Sequence, residues 1–151
     1  MAQNIIKEIV NRKARHEYHC LQKFEAGIAL LGTEVKSLKA GNANLSDAYC
    51  IFEGGHLLLK SAFIAEYKHG NINNHETRRD RILLLRKSEL KKLERRITEK
   101  GLTCVPYKFY FNERGYAKVE IWLAQGKKSF DKRHSIKEKD MKRDMDRSMK
   151  Y

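Results

Sequence analysis

A Gly54-Gly55 pair stands between two runs rich in strand-forming residues, Asp47 to Glu53 and His56 to Ile64, and few features confine a chain more. A two-residue primed turn needs positive φ at its central positions, which glycine supplies at no steric cost, so the two runs are committed to pair as a hairpin. A second hairpin is predicted around Asn112-Glu113-Arg114-Gly115, joining Thr103 to Phe111 with Tyr116 to Leu123. In its return strand Val119, Ile121 and Leu123 alternate with Lys118, Glu120 and Trp122, the period of a half-buried strand. From Glu17 to Leu31 the spacing of Tyr18, Cys20, Phe24, Ile28 and Leu30 predicts a further strand with a bend or bulge near Gly27.

Two helices fit between these strands. Thr33 offers an N-cap, with Glu34 in the first turn, Val35 and Leu38 on one face, and Gly41 placed to end the segment. Ser88 offers a second cap, followed by Leu90, Leu93 and Ile97 at helical spacing and by Gly101. Between them Tyr67 to Arg81, with Gly70, Arg78, Arg79 and Arg81, reads as a long polar, basic loop. The sum is a mainly β fold with flanking helices, best matched by an OB-type closed β-barrel. A ferredoxin-like sheet fits the same pattern.

With 151 residues and 41% hydrophobic content the chain can bury one core, so one domain (residues 1–126) and a tail (127–151) is the economical division. The formal charge is +13, and the tail carries ten Lys or Arg against five Asp or Glu, so the body is basic in its own right. Such a charge attracts nucleic acid or an anionic membrane surface. No apolar run approaches 18 residues and no export leader is visible, while Cys20, Cys50 and Cys104 are far apart and lack zinc-ligand spacing. These features predict a cytoplasmic protein with reduced, apolar cysteines.

The tail has no Gly or Pro, and Met141, Met145 and Met149 recur every four residues, one narrow apolar line in a helix. So thin a stripe cannot hold a free helix, so the tail is expected to be disordered until a polyanionic partner orders it.

Catalysis finds little support. There is no phosphate-binding Gly-rich loop, Gly-x-Ser-x-Gly or His-Glu-x-x-His. His16, His19 and His75 lie in basic polar segments where an acid or base could sit, although RNA contact suits them better. Among Tyr107, Phe109, Tyr110 and Phe111, the odd-numbered three share one predicted strand face and suit a core, which leaves Tyr110 as the freer base-stacking candidate. Asn11-Arg12-Lys13-Ala14-Arg15-His16 gathers cations and hydrogen-bonding groups suited to phosphate contact.

Asn11-Arg12-Lys13-Ala14-Arg15-His16-Glu17-Tyr18, Phe24-Glu25-Ala26-Gly27-Ile28, Gly32-Thr33-Glu34-Val35-Lys36-Ser37-Leu38, Asn44-Leu45-Ser46-Asp47-Ala48-Tyr49 and Ala124-Gln125-Gly126-Lys127-Lys128 with Asp131-Lys132-Arg133 together resemble the SmpB (small protein B) family, the tmRNA-binding proteins of bacterial trans-translation. The resemblance implies an OB-type barrel with a tail disordered in the free protein, and a factor that is not an enzyme and needs no cofactor. Its implied partners are the tRNA-like domain of tmRNA, the ribosome, and elongation factor Tu with GTP in the delivery complex, with no membrane. The implied tmRNA-facing positions are Asn11, Arg12, His16, Glu25, Tyr49, Leu84 and Lys118, with Arg86 where relatives often carry Asn. The implied decoding-centre positions are Gly126, Phe130, Asp131, Lys132 and Arg133, followed by the Met141, Met145 and Met149 stripe, helical on the ribosome. Phe130 replaces a His of some relatives, and Ser148 replaces an aliphatic residue.

Overall fold

The computed structural model describes residues 8–68 and 74–127. In chain order the elements are β1 (Ile9–Val10), α1 (Arg12–Glu17), β2 (Tyr18–Ile28), α2 (Gly32–Lys39), β3 (Ala43–Asn44), β4 (Tyr49–Glu53), β5 (His56–Lys60), β6 (Phe63–Ile64), β7 (Arg81–Leu84), α3 (Lys87–Lys100), β8 (Thr103–Phe111) and β9 (Ala117–Gly126). Seven strands form one antiparallel sheet in the order β1-β8-β9-β2-β7-β5-β4, and β3 pairs with β6 separately.

Both predicted hairpins form. Gly54 and Gly55 take φ of 58° and 79°, the two positive values a primed turn requires. At the second turn the Asn112 side-chain oxygen accepts from the N–H groups of Arg114 (3.1 Å) and Tyr116 (2.9 Å). Ser61, at φ 60°, ends β5, so the predicted run from His56 to Ile64 divides into β5 and β6.

Both helices begin two residues earlier than predicted, for one reason. Glu34 and Glu89 accept from the N–H groups of Leu31 (2.8 Å) and Arg86 (3.3 Å), so a glutamate in the first turn fixes Leu31 and Arg86 as the N-cap residues in place of Thr33 and Ser88. The ends are as predicted, with Gly41 and Gly101 at φ 80° and 62°.

The predicted irregularity of β2 lies at Leu21 and not at Gly27. There the register against β9 slips between Cys20 and Gln22, and the strand then runs unbroken to Ile28. A second slip, between Pro106 and Lys108, falls on β8. Each bulge exchanges the two faces of its strand. Phe24, Ala26, Ile28, Phe109 and Phe111 therefore face the main core with Val119, Ile121 and Leu123, whereas Tyr18, Cys20, Val105 and Tyr107 face the other way and join Trp122, Ala124 and Ala14 under α1. This corrects the expectation that Tyr107, Phe109 and Phe111 share a face. Tyr107 instead stacks on Trp122 with ring centroids 4.1 Å apart.

The expected closed barrel is not found, since no ladder joins the two edges of the sheet among the described residues. The sheet does curl. Cys50 on β4 meets Cys104 on β8, and the hydrogen bond between them, then burial, hold the Cys50 thiol well above its usual value. Both cysteines are free, as is Cys20.

The basic loop expected through Arg81 is also corrected. Arg81 is fully buried at the head of β7, where its guanidinium reaches Glu34, the Ala62 carbonyl (2.8 Å) and the Thr77 carbonyl (3.2 Å). Arg79 donates to the same buried Glu34 carboxylate at 2.6 Å. His75, considered as an acid or base, is buried between the Thr33 hydroxyl (2.8 Å) and the Ile64 carbonyl (2.9 Å), with both ring nitrogens engaged in holding α2 against β6. His75→Ala should accordingly lower stability by about 1–3 kcal/mol, the cost of stranding buried polar partners. Urea denaturation checks this, and an unchanged midpoint would mean that solvent replaces the ring.

Candidate nucleic-acid interface

The strand registers bring residues remote in sequence into one row on the outer face of the sheet. Leu84 on β7 stands opposite Gly27 on β2, Gly27 opposite Lys118 on β9, and Lys118 opposite Tyr110 on β8. At strand spacing the row is about 14 Å long. In the next outward-facing row Glu25 stands opposite Glu120, which stands opposite Lys108. Three predicted tmRNA-facing residues, Glu25, Leu84 and Lys118, thus share a face with Tyr110.

Gly27 lets β2 and β7 approach closely here. A Cβ there would lie 3.3 Å from Leu84 Cβ, so Leu84 would have to give by a few tenths of an ångström, while at 3.7 Å Lys118 Nζ would be in ordinary contact. Leu84 is 57% exposed, which for a leucine in mid-sheet leaves an apolar surface to be covered.

Glu25 lies 4.0 Å from Lys118 Nζ, with its side chain 55% exposed. Burial, and then hydrogen bonding to the Glu25 carboxylate, push the Tyr110 phenol well above its usual value, so it stays protonated as a donor. With a cation 4.0 Å away and more than half of its surface open, the carboxylate is an acceptor with solvent-facing lone pairs. A base amino group or a ribose hydroxyl can use it, whereas phosphate cannot. The Lys108 ammonium sits 5.4 Å from the Tyr110 ring centroid and 3.2 Å from Glu8, so one face of that stacking candidate already carries a cation.

The other predicted positions lie elsewhere. Asn11 is buried as the N-cap of α1, accepting from Ala14 N–H (3.3 Å) and donating to the Pro106 carbonyl (3.0 Å), while its own N–H donates to the Tyr107 carbonyl (2.6 Å). It therefore sets α1 on β8 as well as lining, with Tyr49 and Lys13, a cavity of about 280 Å³. Arg12 and His16 are exposed on α1, and Arg86 is exposed at the start of α3. Gly126 closes β9 opposite Tyr18, after which Lys127 is tied to α1 by its N–H to Glu17 (2.7 Å) and its ammonium to the Arg15 carbonyl (2.8 Å). The tail thus departs about 27 Å along β9 from Lys118. Phe130, Asp131, Lys132, Arg133, Met141, Met145 and Met149 lie outside the described residues.

Among the described residues no helix is long and apolar enough to cross a membrane. A sheet face bearing a carboxylate, an exposed leucine and a lysine in register combines the acceptor, apolar and cationic groups that RNA-binding modules use.

The family model described as "SmpB protein" matches residues 8–151. The chain is 56% identical over 140 residues to a protein of Desulforamulus reducens named "SsrA-binding protein", covering 93% of this chain and 87% of the relative. It is 50% identical over 143 residues to the protein of that name from Parabacteroides distasonis, covering 95% and 94%. A third, from Pelotomaculum thermopropionicum, is 49% identical over 150 residues, covering 99% and 96%. A solved structure described as "tmRNA-SmpB: a journey to the center of the bacterial ribosome" superimposes with a TM-score of 0.68 at 52% identity, over 81% of this chain and 85% of that one. The chain belongs to the SmpB family.

Proposed function

We propose that this protein binds tmRNA, the SsrA RNA for which its relatives are named, and acts with it in trans-translation on the ribosome. It acts there as an RNA-binding factor and not as an enzyme, in keeping with its family. The observation that carries the reading is the outer face on which Leu84, Gly27, Lys118 and Tyr110 align, with Glu25 held beside Lys118. Lys118 meets phosphate, Glu25 accepts from a base or ribose, and Leu84 covers an apolar edge of the RNA.

Asn11, Arg12, His16 and Tyr49 form the second group of tmRNA contacts, around α1, with Arg86 adding a phosphate contact at α3. The tRNA-like domain of tmRNA is the part held, and elongation factor Tu with GTP joins the complex in the cytoplasm. Residues 1–126 form the RNA-binding domain. Its curled sheet, with β4 returning to β8 at Cys50 and Cys104, supports an OB-type architecture. Residues 127–151 are the ribosomal tail, placing Gly126, Phe130, Asp131, Lys132 and Arg133 at the decoding centre.

Glu25→Ala gives the sharpest test. It removes a negative charge beside a polyanion, so charge alone predicts tighter binding. The face described above predicts about tenfold weaker binding of tmRNA, the loss of one hydrogen bond to a charged acceptor. A binding isotherm with equal or tighter affinity would make Glu25 a surface partner of Lys118 and nothing more.

A further inference from the structure

Beside that face, where the second hairpin turn meets β7 and α2, lies a cavity of about 390 Å³ in which Leu84 and Lys118, two positions implied by the family resemblance, meet residues that the resemblance does not name as RNA contacts. Its walls include Leu84, Leu30, Val35 and Tyr116, Gly27 also lines it, and Lys118 is its sole charged lining residue. Tyr116 is the most exposed large hydrophobic side chain described, at 64%. Its exposure is not a slack turn, because its backbone N–H and carbonyl are both bonded to Asn112, at 2.9 and 3.0 Å. The backbone holds a bare ring at the mouth of an apolar hollow with a single cation inside it.

We infer that this cavity takes one unstacked nucleotide of the bound RNA, with the base covered by Tyr116 and Leu84 and its phosphate met by Lys118. The fit is chemical. A nucleotide joins a flat apolar face to one negative charge, and the cavity joins apolar walls to one positive charge. Single-stranded and looped RNA is recognised by this means, with bases splayed onto aromatic side chains. The absence of a side chain at Gly27 leaves the hollow open, since a Cβ there would crowd Leu84 and stand in contact with Lys118. Glu25, two residues along β2 on the same face, is within reach of the same or the adjoining nucleotide. Tyr116 thereby becomes an RNA-contacting residue that supplies stacking, a kind of contact that charge counting does not find.

The inference rests on the proposed tmRNA-binding function, and the test separates the two. The full chain is titrated with a transcript of the tmRNA tRNA-like domain, for the wild type and for Tyr116→Ala, Tyr116→Phe and Tyr116→Trp, across a series of salt concentrations. Stacking predicts a loss of about fivefold or more for Tyr116→Ala with an unchanged salt slope, and affinities within about twofold of wild type for Phe and Trp. Lys118→Ala in the same series should lower the salt slope by about 1. Because the Tyr116 ring is exposed, the alanine variant should melt as the wild type does, and circular dichroism checks that. Wild-type affinity of Tyr116→Ala would overturn the nucleotide site while leaving tmRNA binding intact. Equal losses for Ala and Phe would assign the contact to the hydroxyl and overturn stacking. A wild-type chain that does not bind the transcript would instead overturn the proposed function itself.

Discussion

Replacing Glu34 by alanine is expected to cost about 3–5 kcal/mol of folding stability, the usual consequence of removing one partner from a buried ion pair. Its carboxylate is fully buried between Arg79 and the equally buried Arg81, so its loss strands a guanidinium inside the fold. Arg81 has further partners in the Ala62 and Thr77 carbonyls, but these are acceptors without charge. The damage should reach the proposed RNA face, because Arg81 opens β7 and Leu84 ends it. The same site sets an acid limit. Burial alone would raise the Glu34 carboxyl, yet hydrogen bonds from Arg79, from Leu31 N–H and from Arg81 outweigh it and hold the group below its ordinary value of 4.5. With the folded value below the unfolded one, this stabilisation is complete above the ordinary value and is lost as pH falls through the folded value. Chemical denaturation from pH 7 to pH 3 should show that loss in the wild type and its absence in Glu34→Gln. Parallel curves for the two proteins would show that Glu34 does not titrate in this window.

Met145→Pro is expected to abolish peptide tagging while leaving tmRNA affinity unchanged. Met145 lies outside the described residues, so the argument comes from sequence. Met141, Met145 and Met149 make a stripe too narrow to anchor a free helix, Asp146 and Lys150 add only a few tenths of a kcal/mol as a pair four apart, and neither Gly nor Pro interrupts the run. In the function proposed above, a ribosomal RNA channel supplies the missing partner, with phosphates meeting the cationic faces. Proline inside the helix then costs about 3 kcal/mol or more. The affinity is expected to be spared because every proposed tmRNA contact, from Asn11 to Lys118, lies within residues 1–126 and not in the tail. A tagging assay with the variant checks this, and full activity would mean that the tail acts as an extended cationic strand.

The features legible in the sequence were those fixed by local chemistry. Gly54-Gly55 and Asn112 to Gly115 gave their hairpins because a turn's φ requirements are written in its own residues, and Val119, Ile121 and Leu123 marked a core face because β9 contains no bulge. What stayed hidden was non-local. The bulges at Leu21 and Tyr107 exchange strand faces only because both strands flank β9 and must close over α1 at one end, and no residue type announces that. Arg81 reads as one more basic loop residue until Glu34, 47 positions away, is placed against it. The same limit applies to the site. Glu25, Leu84 and Lys118 entered through family resemblance, but only the register shows that Leu84 and Lys118 flank Gly27 and that Tyr110 completes the row. Tyr116 carried no signal beyond its place at the start of a predicted strand, and its exposure over a cavity is a property of the fold.

A nuclease footprint of the full chain on full-length tmRNA tests the central claim most directly, because it asks where the basic sheet sits with no prior choice of contact residue. Binding through the outer face and α1 predicts protection within the tRNA-like domain, and loss of part of that protection with Glu25→Ala. Protection found only outside the tRNA-like domain, unchanged by Glu25→Ala, would contradict it.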